Sequence, residues 1–586
     1  MTRLTRIVFT ALVCLLAQQQ AGRAALPQKV WIHLTDRGAW ERLSPAQIDS
    51  AALADGLTER ALERRRIEGL TSDALITIAD LPPDPSYLQT LSEQGAEIGE
   101  VSRWFNCVSA YCNDNDLPVI RSLPFVAAVE PVHATQPAGF SYTVEGHWES
   151  FPSPGPGATG AGLYGPSYLQ NLMVNAVEAH RRGYNGRGVL LAVLDSGYEL
   201  THESFSDLDI VAEYDFVEDD DNTGYEEGED VRGQPAHGTG CMSVIAGYQP
   251  GNLIGVAHGV SLVLAKTEDV RSETPAEEDN WVAAVEWAER LGASVLSSSL
   301  SYSDWYTLAD YDGRTPITSL VAERAHKLGM VLATSAGNEG PQPRTVSPPS
   351  TGPFVLGIGA VDSTGKIGGF SSRGPTSDGR IKPDLVAMGV RTAVASPFSD
   401  HRYSRWNGTS LSTPVMGGVI ACVRSARPDW NAGQATRALR ATASRADRPD
   451  NIYGWGIPDI IAATRWPEGI VKVNDSHGKP LEGARVRLLQ SPAPRAHFSS
   501  RHAIDDAENS KTPLSVQLQE RLGPTYPPIT AVTDPYGEAR FPNLPNGKWT
   551  VQVVVTTPSG DMAFKADDTI VAPDGEVVIV EVEIPQ

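Results

Sequence analysis

The sequence predicts an α/β domain with a mostly parallel sheet, preceded by a small α+β unit and followed by an all-β unit. Three observations lead there. Between about Tyr168 and Ala463, short runs rich in Val, Leu and Ile alternate with helix-like segments, the pattern of parallel strands joined by covering helices. Ahead of that region, strand and helix signals mix and then give way to a stretch dense in Gly, Pro and Ser. After Trp466, alternating strands separated by turn residues take over. A chain of 586 residues exceeds one ordinary core, which suits several units.

Taken in order, "MTRLTRIVFTALVCLLAQQQAGRAALPQ" carries Arg3 and Arg6, an apolar run from Ile7 to Ala17, and a small-residue site at Gly22-Arg23-Ala24. This is the layout of a secretory signal peptide over residues 1–25, and it predicts export to the periplasm or the medium. The run is too short to span a bilayer, and no other stretch is long and apolar enough to do so. Within residues 26–133, "KVWIHL" and "ALITI" predict strands, "AALADGLTERALERRRIEGL" predicts one charged helix, and "LPFVAAVEPV" predicts a last strand. Residues 134–165 predict a linker, with "TVEGHWESFPSPGPGATGAGLYGPS" read as loop from its Gly, Pro and Ser content.

Residues 166–466 hold the α/β domain. "GVLLAVLD", "SLVLAK", "ASVLSSSL", "GMVLATSAG" and "FVLGIGAV" predict buried parallel strands, and "NWVAAVEWAERLG" and "TSLVAERAHKLG" predict helices between them. Residues 467–586 predict a β-sandwich from "GIVKVND", "ARVRLLQ", "EARFPNL", "KWTVQVVVTT" and "EVVIVEVEIP", interrupted by a long polar loop from about Ser491 to Pro527.

The composition, 41% hydrophobic and 20% charged, is that of a folded chain. A formal net charge of −23 argues against nucleic acid as a partner, because phosphate recognition needs a positive surface. Without the signal peptide four cysteines remain, Cys107, Cys112, Cys241 and Cys422, too few for a disulfide-stapled scaffold, and their spacing fixes no pairing.

Four segments carry chemistry. The strand "VLLAVL" runs into Asp195, and ligands of open parallel sheets bind beyond the carboxyl ends of the strands. "HGTGCMSVIAG" starts a helix at His237 with small neighbours that let other groups approach. "VLATSAGNEG" ends a strand near Asn338, whose side-chain amide is able to donate to a developing oxyanion. "WNGTSLSTPVMGG" places Ser410 at a helix start, where backbone N–H groups lie free. A serine is inert alone: it needs a base for its proton, and the base needs an orienting anion.

In the order Asp, His, Asn, Ser, these motifs over nearly 300 residues resemble the subtilisin-like serine peptidases (subtilases). "FSSRGPTSDGRIKPDLVAMG" and "YGWGIPD" look like further subtilase segments. The resemblance implies a serine endopeptidase that hydrolyses peptide bonds through an acyl-enzyme. Asp195 would orient His237, His237 would take the Ser410 proton, and Asn338 with the Ser410 backbone N–H would form the oxyanion hole. Ser299, Leu300 and Ser301 would bind substrate backbone. Protein or peptide substrates follow as partners, with no cofactor needed for the chemistry.

The sequence departs from the family pattern in two places. Leu411-Ser412 follows the nucleophile where Met-Ala is usual, and Ser301 stands where the family has Gly, which bears on specificity rather than on chemistry. Cys241, four residues after His237, shares its helix face. The acidic run from Glu218 to Asp230 reads as a solvated loop or, since subtilases often bind structural calcium, as a candidate for it; no metal ligand is assigned. Residues 26–133 resemble a subtilase propeptide, which implies a zymogen whose own propeptide blocks the cleft. The C-terminal unit resembles a carboxypeptidase-regulatory-like β-sandwich. An inactive scaffold serving the β unit would be expected to lack one of the four groups, and all are present; a peptide ligase on the same fold would share them.

Overall fold

In the N-terminal unit, strands β1 (Gln28–Leu34), β2 (Glu97–Ser102), β3 (Cys107–Cys112) and β4 (Val126–Pro131) form an antiparallel sheet in the order β2-β3-β1-β4. Helices α1 (Pro45–Ala54), α2 (Glu59–Ile67), α3 (Pro85–Glu93) and α4 (Leu117–Ser122) accompany it. The computed structural model describes residues 27–132 and 143–466, except 152, 154–157 and 272, followed by residues 468–475, 484–490, 529–532, 538–542, 547–557, 560–572 and 578–584. The predicted signal peptide and the polar loop after Ser491 lie outside the described residues.

Two expectations for this unit are corrected. "ALITI" is not a strand: Ile78–Asp80 is a single 3-10 turn, because the Asp80 carboxylate accepts from Thr77 N at 2.8 Å and from Arg65 at 2.7 Å and draws the chain round. The charged stretch of residues 51–70 is two helices rather than one. Gly56 takes a left-handed φ of 97° after α1, and the Thr58 side chain accepts from Ala61 N to start α2 afresh.

A third correction concerns the predicted linker. Residues Thr143–Glu149 form strand β5 instead of loop. Its partner lies some 250 residues away, so local composition gave no sign of it.

The central sheet has seven strands: β6 (Leu190–Asp195), β7 (Asp209–Asp215), β8 (Ser261–Lys266), β9 (Val295–Ser298), β10 (Val331–Ser335), β11 (Val355–Val361) and β12 (Leu385–Met388). Their order is β12-β11-β10-β9-β6-β8-β7, and every adjacent pair is parallel. Strand residues alternate between two cores. Leu191, Val193, Val331 and Ala333 face a cluster formed with helices α5 (Ala236–Ala246) and α8 (Thr409–Ala426). Leu190, Ala192, Leu194 and Leu332 face a second cluster formed with α6 (Pro275–Leu291) and α7 (Ile317–Lys327). The result is three layers, as the apolar runs predict.

Strands β13 (Thr392–Ala395) and β14 (Arg402–Asn407) form an antiparallel pair, and β5 joins β14 as its outer strand, with Trp148 stacked on Tyr403 at 5.8 Å. The N-terminal unit packs on α6 through charged groups. Lys29 pairs with Asp279, Arg64 and Arg65 both pair with Glu289, and Glu286 accepts from Ser102 Oγ at 2.6 Å and from Arg103 N at 2.8 Å. Among the described residues beyond Trp466 there are two sheets, one three-stranded and one four-stranded. The four cysteines of the described residues are buried and unbridged. Among the described residues no helix is long and apolar enough to cross a membrane.

Candidate active site

Strand order reverses about β6: β7 and β8 lie on one side and β9 to β12 on the other. Such a switch opens a crevice at the carboxyl ends of the strands. Asp195 is the last residue of β6 and is fully buried. Helix α5 begins at Ala236 and brings in His237 as its second residue. Glycine permits this approach: a Cβ on Gly238 would strike the Gly197 carbonyl, and one on Gly240 would strike the Trp406 ring.

His237 Nδ1 lies 2.7 Å from Asp195 Oδ1, which also accepts from Ser196 N at 2.8 Å. With Nδ1–H donating to the carboxylate, Nε2 is left as the basic nitrogen. Burial opposes charge on this ring, but the Asp195 carboxylate, with Cys241 beside it, outweighs burial and holds the imidazole well above its ordinary pKa.

Helix α8 starts at Thr409, so Ser410 sits in its first turn, 5% exposed. The N–H groups of that turn have no intrahelical acceptor and carry the positive end of the helix dipole. Asn338, just beyond β10, is fixed against this turn: its Oδ1 accepts from Thr409 N at 2.9 Å and from Thr409 Oγ1 at 3.0 Å. The Asn338 amide nitrogen remains its donor.

Residues Ser299 to Ser301 follow directly on β9. The Ser410 hydroxyl donates to the Ser299 carbonyl at 3.5 Å, and the Leu300 carbonyl accepts from Ser335 Oγ at 3.2 Å. Ser301 is half-buried. Cys241 does share the face of His237: its Sγ lies 3.9 Å from His237 Nδ1 and 3.4 Å from the Ser410 carbonyl. Asp195, His237, Asn338, Ser410 and Ser299 are thus brought to one edge of the sheet from segments far apart in sequence. Sequence reading missed two links, Thr409 to Asn338 and Ser299 Oγ to the Ser410 carbonyl at 2.8 Å.

The acidic run is only partly loose. Lys266, at the end of β8, holds Asp215 at 2.7 Å and Asp230 at 2.8 Å. One carboxylate oxygen each of Asp220, Glu226 and Glu229 lies within 4.8 Å of the others.

Residues 186–456 match the Subtilase family, and residues 29–142 match the Bacteroidota Peptidase S8 propeptide domain. The chain is 30% identical over 298 residues to Subtilisin of Bacillus pumilus, covering 50% of this chain and 96% of that protein. It is 28% identical over 381 residues to Subtilisin E of Bacillus subtilis (strain 168), covering 64% and 85%. Among solved structures, fervidolysin from Fervidobacterium pennivorans aligns over 96% of this chain and 79% of its own, with a TM-score of 0.49 and 18% identity. The sequence matches define a subtilisin-type serine peptidase. The chain belongs to the subtilase family and carries an N-terminal propeptide.

Proposed function

We propose that the protein is a secreted endopeptidase made as a zymogen, with Asp195, His237 and Ser410 as its catalytic triad. The observation that carries this reading is the 2.7 Å bond between Asp195 and His237 at the edge where the first turn of α8 presents Ser410. Substrate entry swings the Ser410 hydroxyl from the Ser299 carbonyl to His237 Nε2, since such hydrogen bonds tighten in the substrate complex. His237 takes the proton as Ser410 Oγ attacks the scissile carbonyl, and Asp195 stabilises the imidazolium. The oxyanion receives hydrogen bonds from Asn338 Nδ2 and the Ser410 backbone N–H. His237 then protonates the leaving amine, and water hydrolyses the acyl-enzyme by the same steps in reverse. Ser299, Leu300 and Ser301 offer backbone to an extended substrate.

The division that goes with this reading is a signal peptide at 1–25, a propeptide at 26–133, a processed connection at 134–165, a catalytic domain at 166–466 and a β-sandwich built from the two C-terminal sheets at 467–586. The propeptide blocks the cleft until it is cut away between Thr135 and Gly165. Casein cleavage by the purified protein, abolished by a serine-directed phosphonate and by Ser410→Ala, is the test, with the mature N-terminus sequenced alongside. Phosphonate attachment at another residue, or undiminished cleavage by Ser410→Ala, would overturn it.

Structural calcium is a second part of the proposal. Asp220, Glu226 and Glu229 suit a hard cation: their oxygens converge, and Glu226 Oε2 is shut from water with no hydrogen-bond partner among the described residues. These three residues would hold the ion, which would stiffen the loop and take no part in proton transfer.

A further inference from the structure

We propose that Ser299 is a positioning residue for the nucleophile: its hydroxyl, helped by the Cys241 thiol, grips the Ser410 carbonyl that Pro414 leaves without a helical partner. The inference rests on reading Ser410 as the nucleophile and adds to it how Ser410 is held.

In an α-helix the carbonyl of residue i accepts from the N–H of residue i+4. For Ser410 that residue is Pro414, which lies inside α8. Proline has no N–H to give, and its ring crowds the carbonyl four positions back. Ser410 is buried, so its orphaned oxygen needs another donor. It has two. Ser299 Oγ donates at 2.8 Å and Cys241 Sγ at 3.4 Å, both from buried residues. The hydroxyl is the stronger donor, and the thiol is a weak one.

One oxygen therefore ties three segments together. Ser299 stands just after β9, Cys241 lies one turn after His237 on α5, and Ser410 lies in the first turn of α8. The same pair of serines is linked in reverse by the Ser410 hydroxyl donating to the Ser299 carbonyl at 3.5 Å. Ser299 thus fixes the backbone of the nucleophile and gives its hydroxyl a resting place before substrate arrives. Had Pro414 been any other residue, the helix itself would supply the donor, but α8 would then be fixed only along its own axis and not to the β9 edge or to the histidine helix.

The full chain is tested as wild type, Ser299→Ala, Ser299→Thr and the double variant Ser299→Ala with Pro414→Ala. Wild type is first labelled with a serine-directed phosphonate. Because catalysis is steep in atomic position, Ser299→Ala is expected to lower kcat by about 10-fold, with KM changed by less than about twofold. Phosphonate labelling slows in parallel, and the melting temperature reports whether the fold is intact. Ser299→Thr keeps a hydroxyl and recovers most of kcat. In the double variant, residue 414 gains an N–H aimed at the Ser410 carbonyl, and kcat rises again over Ser299→Ala. A raised KM with kcat unchanged, or no gain from Pro414→Ala in a folded double variant, would overturn the proposal while leaving the peptidase reading in place. Absence of label on wild-type Ser410 would overturn that reading, and this proposal with it.

Discussion

Two buried charge clusters on this chain are built to different plans. At the sheet edge, one carboxylate and one imidazole lie 2.7 Å apart inside the continuous core of the α/β domain. On α6, charged residues from both sides meet across a seam: Lys29 with Asp279, Arg64 and Arg65 with Glu289, and Ser102 and Arg103 N with Glu286. The first cluster is permanent. The second joins a propeptide to the domain from which, on the zymogen reading, it is released. A charged seam is worth no more than an apolar one when closed, because burying ions costs solvation. When it opens, its groups return to water instead of leaving a sticky apolar face. Burial opposes charge in both clusters, at His237 and equally at Glu286 of α6 and its neighbour Glu100 on β2, but with different outcomes. His237 is held above the ordinary imidazole range by its carboxylate, whereas burial pushes Glu100 and Glu286 up to about 7.

The comparison breaks most easily at the permanent cluster. Asp195→Asn keeps the shape but removes the charge that fixes the tautomer of His237, and kcat is expected to fall by about 10,000-fold. Steady-state kinetics on a peptide substrate checks this, and a loss below about tenfold would detach Asp195 from the chemistry. Asn338→Ala should cost less, about 100- to 1,000-fold in kcat with KM little changed; that range is the one known for removal of the oxyanion-hole amide in subtilisin.

The seam yields a pH prediction of smaller size. Glu100 and Glu286 titrate near 7 when docked, against a free glutamate near 4.5. The cause is burial first, with Asp279 also pressing on Glu100. A pKa raised in the docked state means docking is fully favoured below the free value and weakens as pH climbs through about 7. Propeptide supplied in trans should therefore inhibit more tightly at about pH 5 than at about pH 8, measured as inhibition constants, and Glu286→Gln should flatten the difference. The smallest effect concerns the acidic loop. Removing calcium with a chelator should lower the melting temperature by a few degrees, on the order of 1–2 kcal/mol, and leave kcat of the folded enzyme unchanged.

Much of this was legible in the chain because the decisive signals are local. Strands such as "VLLAVL" are apolar on both faces, which only a sheet covered on both sides requires. Asp195 stands where such a strand ends, and His237 and Ser410 stand where helices begin among small residues. What escaped depends on distant partners. The "ALITI" run is apolar enough for a strand, but the bonds of Asp80 to Thr77 and Arg65 turn it. Strand β5 exists because β14 lies beside it. The acidic residues of α6 find their partners only when Lys29, Arg64 and Arg65 arrive from the start of the chain, which local sequence does not show. Pro414, four residues after Ser410, was a readable sign that a carbonyl lacked its donor, but only the fold reveals Ser299 as the replacement.

The central claim is that Asp195, His237 and Ser410 act as one proton-transferring unit, and the most direct test is the rate of serine-directed phosphonate attachment, with the labelled residue located by mass spectrometry across a pH series. Label confined to Ser410 is expected, at a rate that climbs with pH through an apparent pKa above the ordinary histidine value of about 6.5 and that collapses in His237→Ala. Label on a different residue, or attachment to Ser410 at an undiminished rate in His237→Ala, would contradict it.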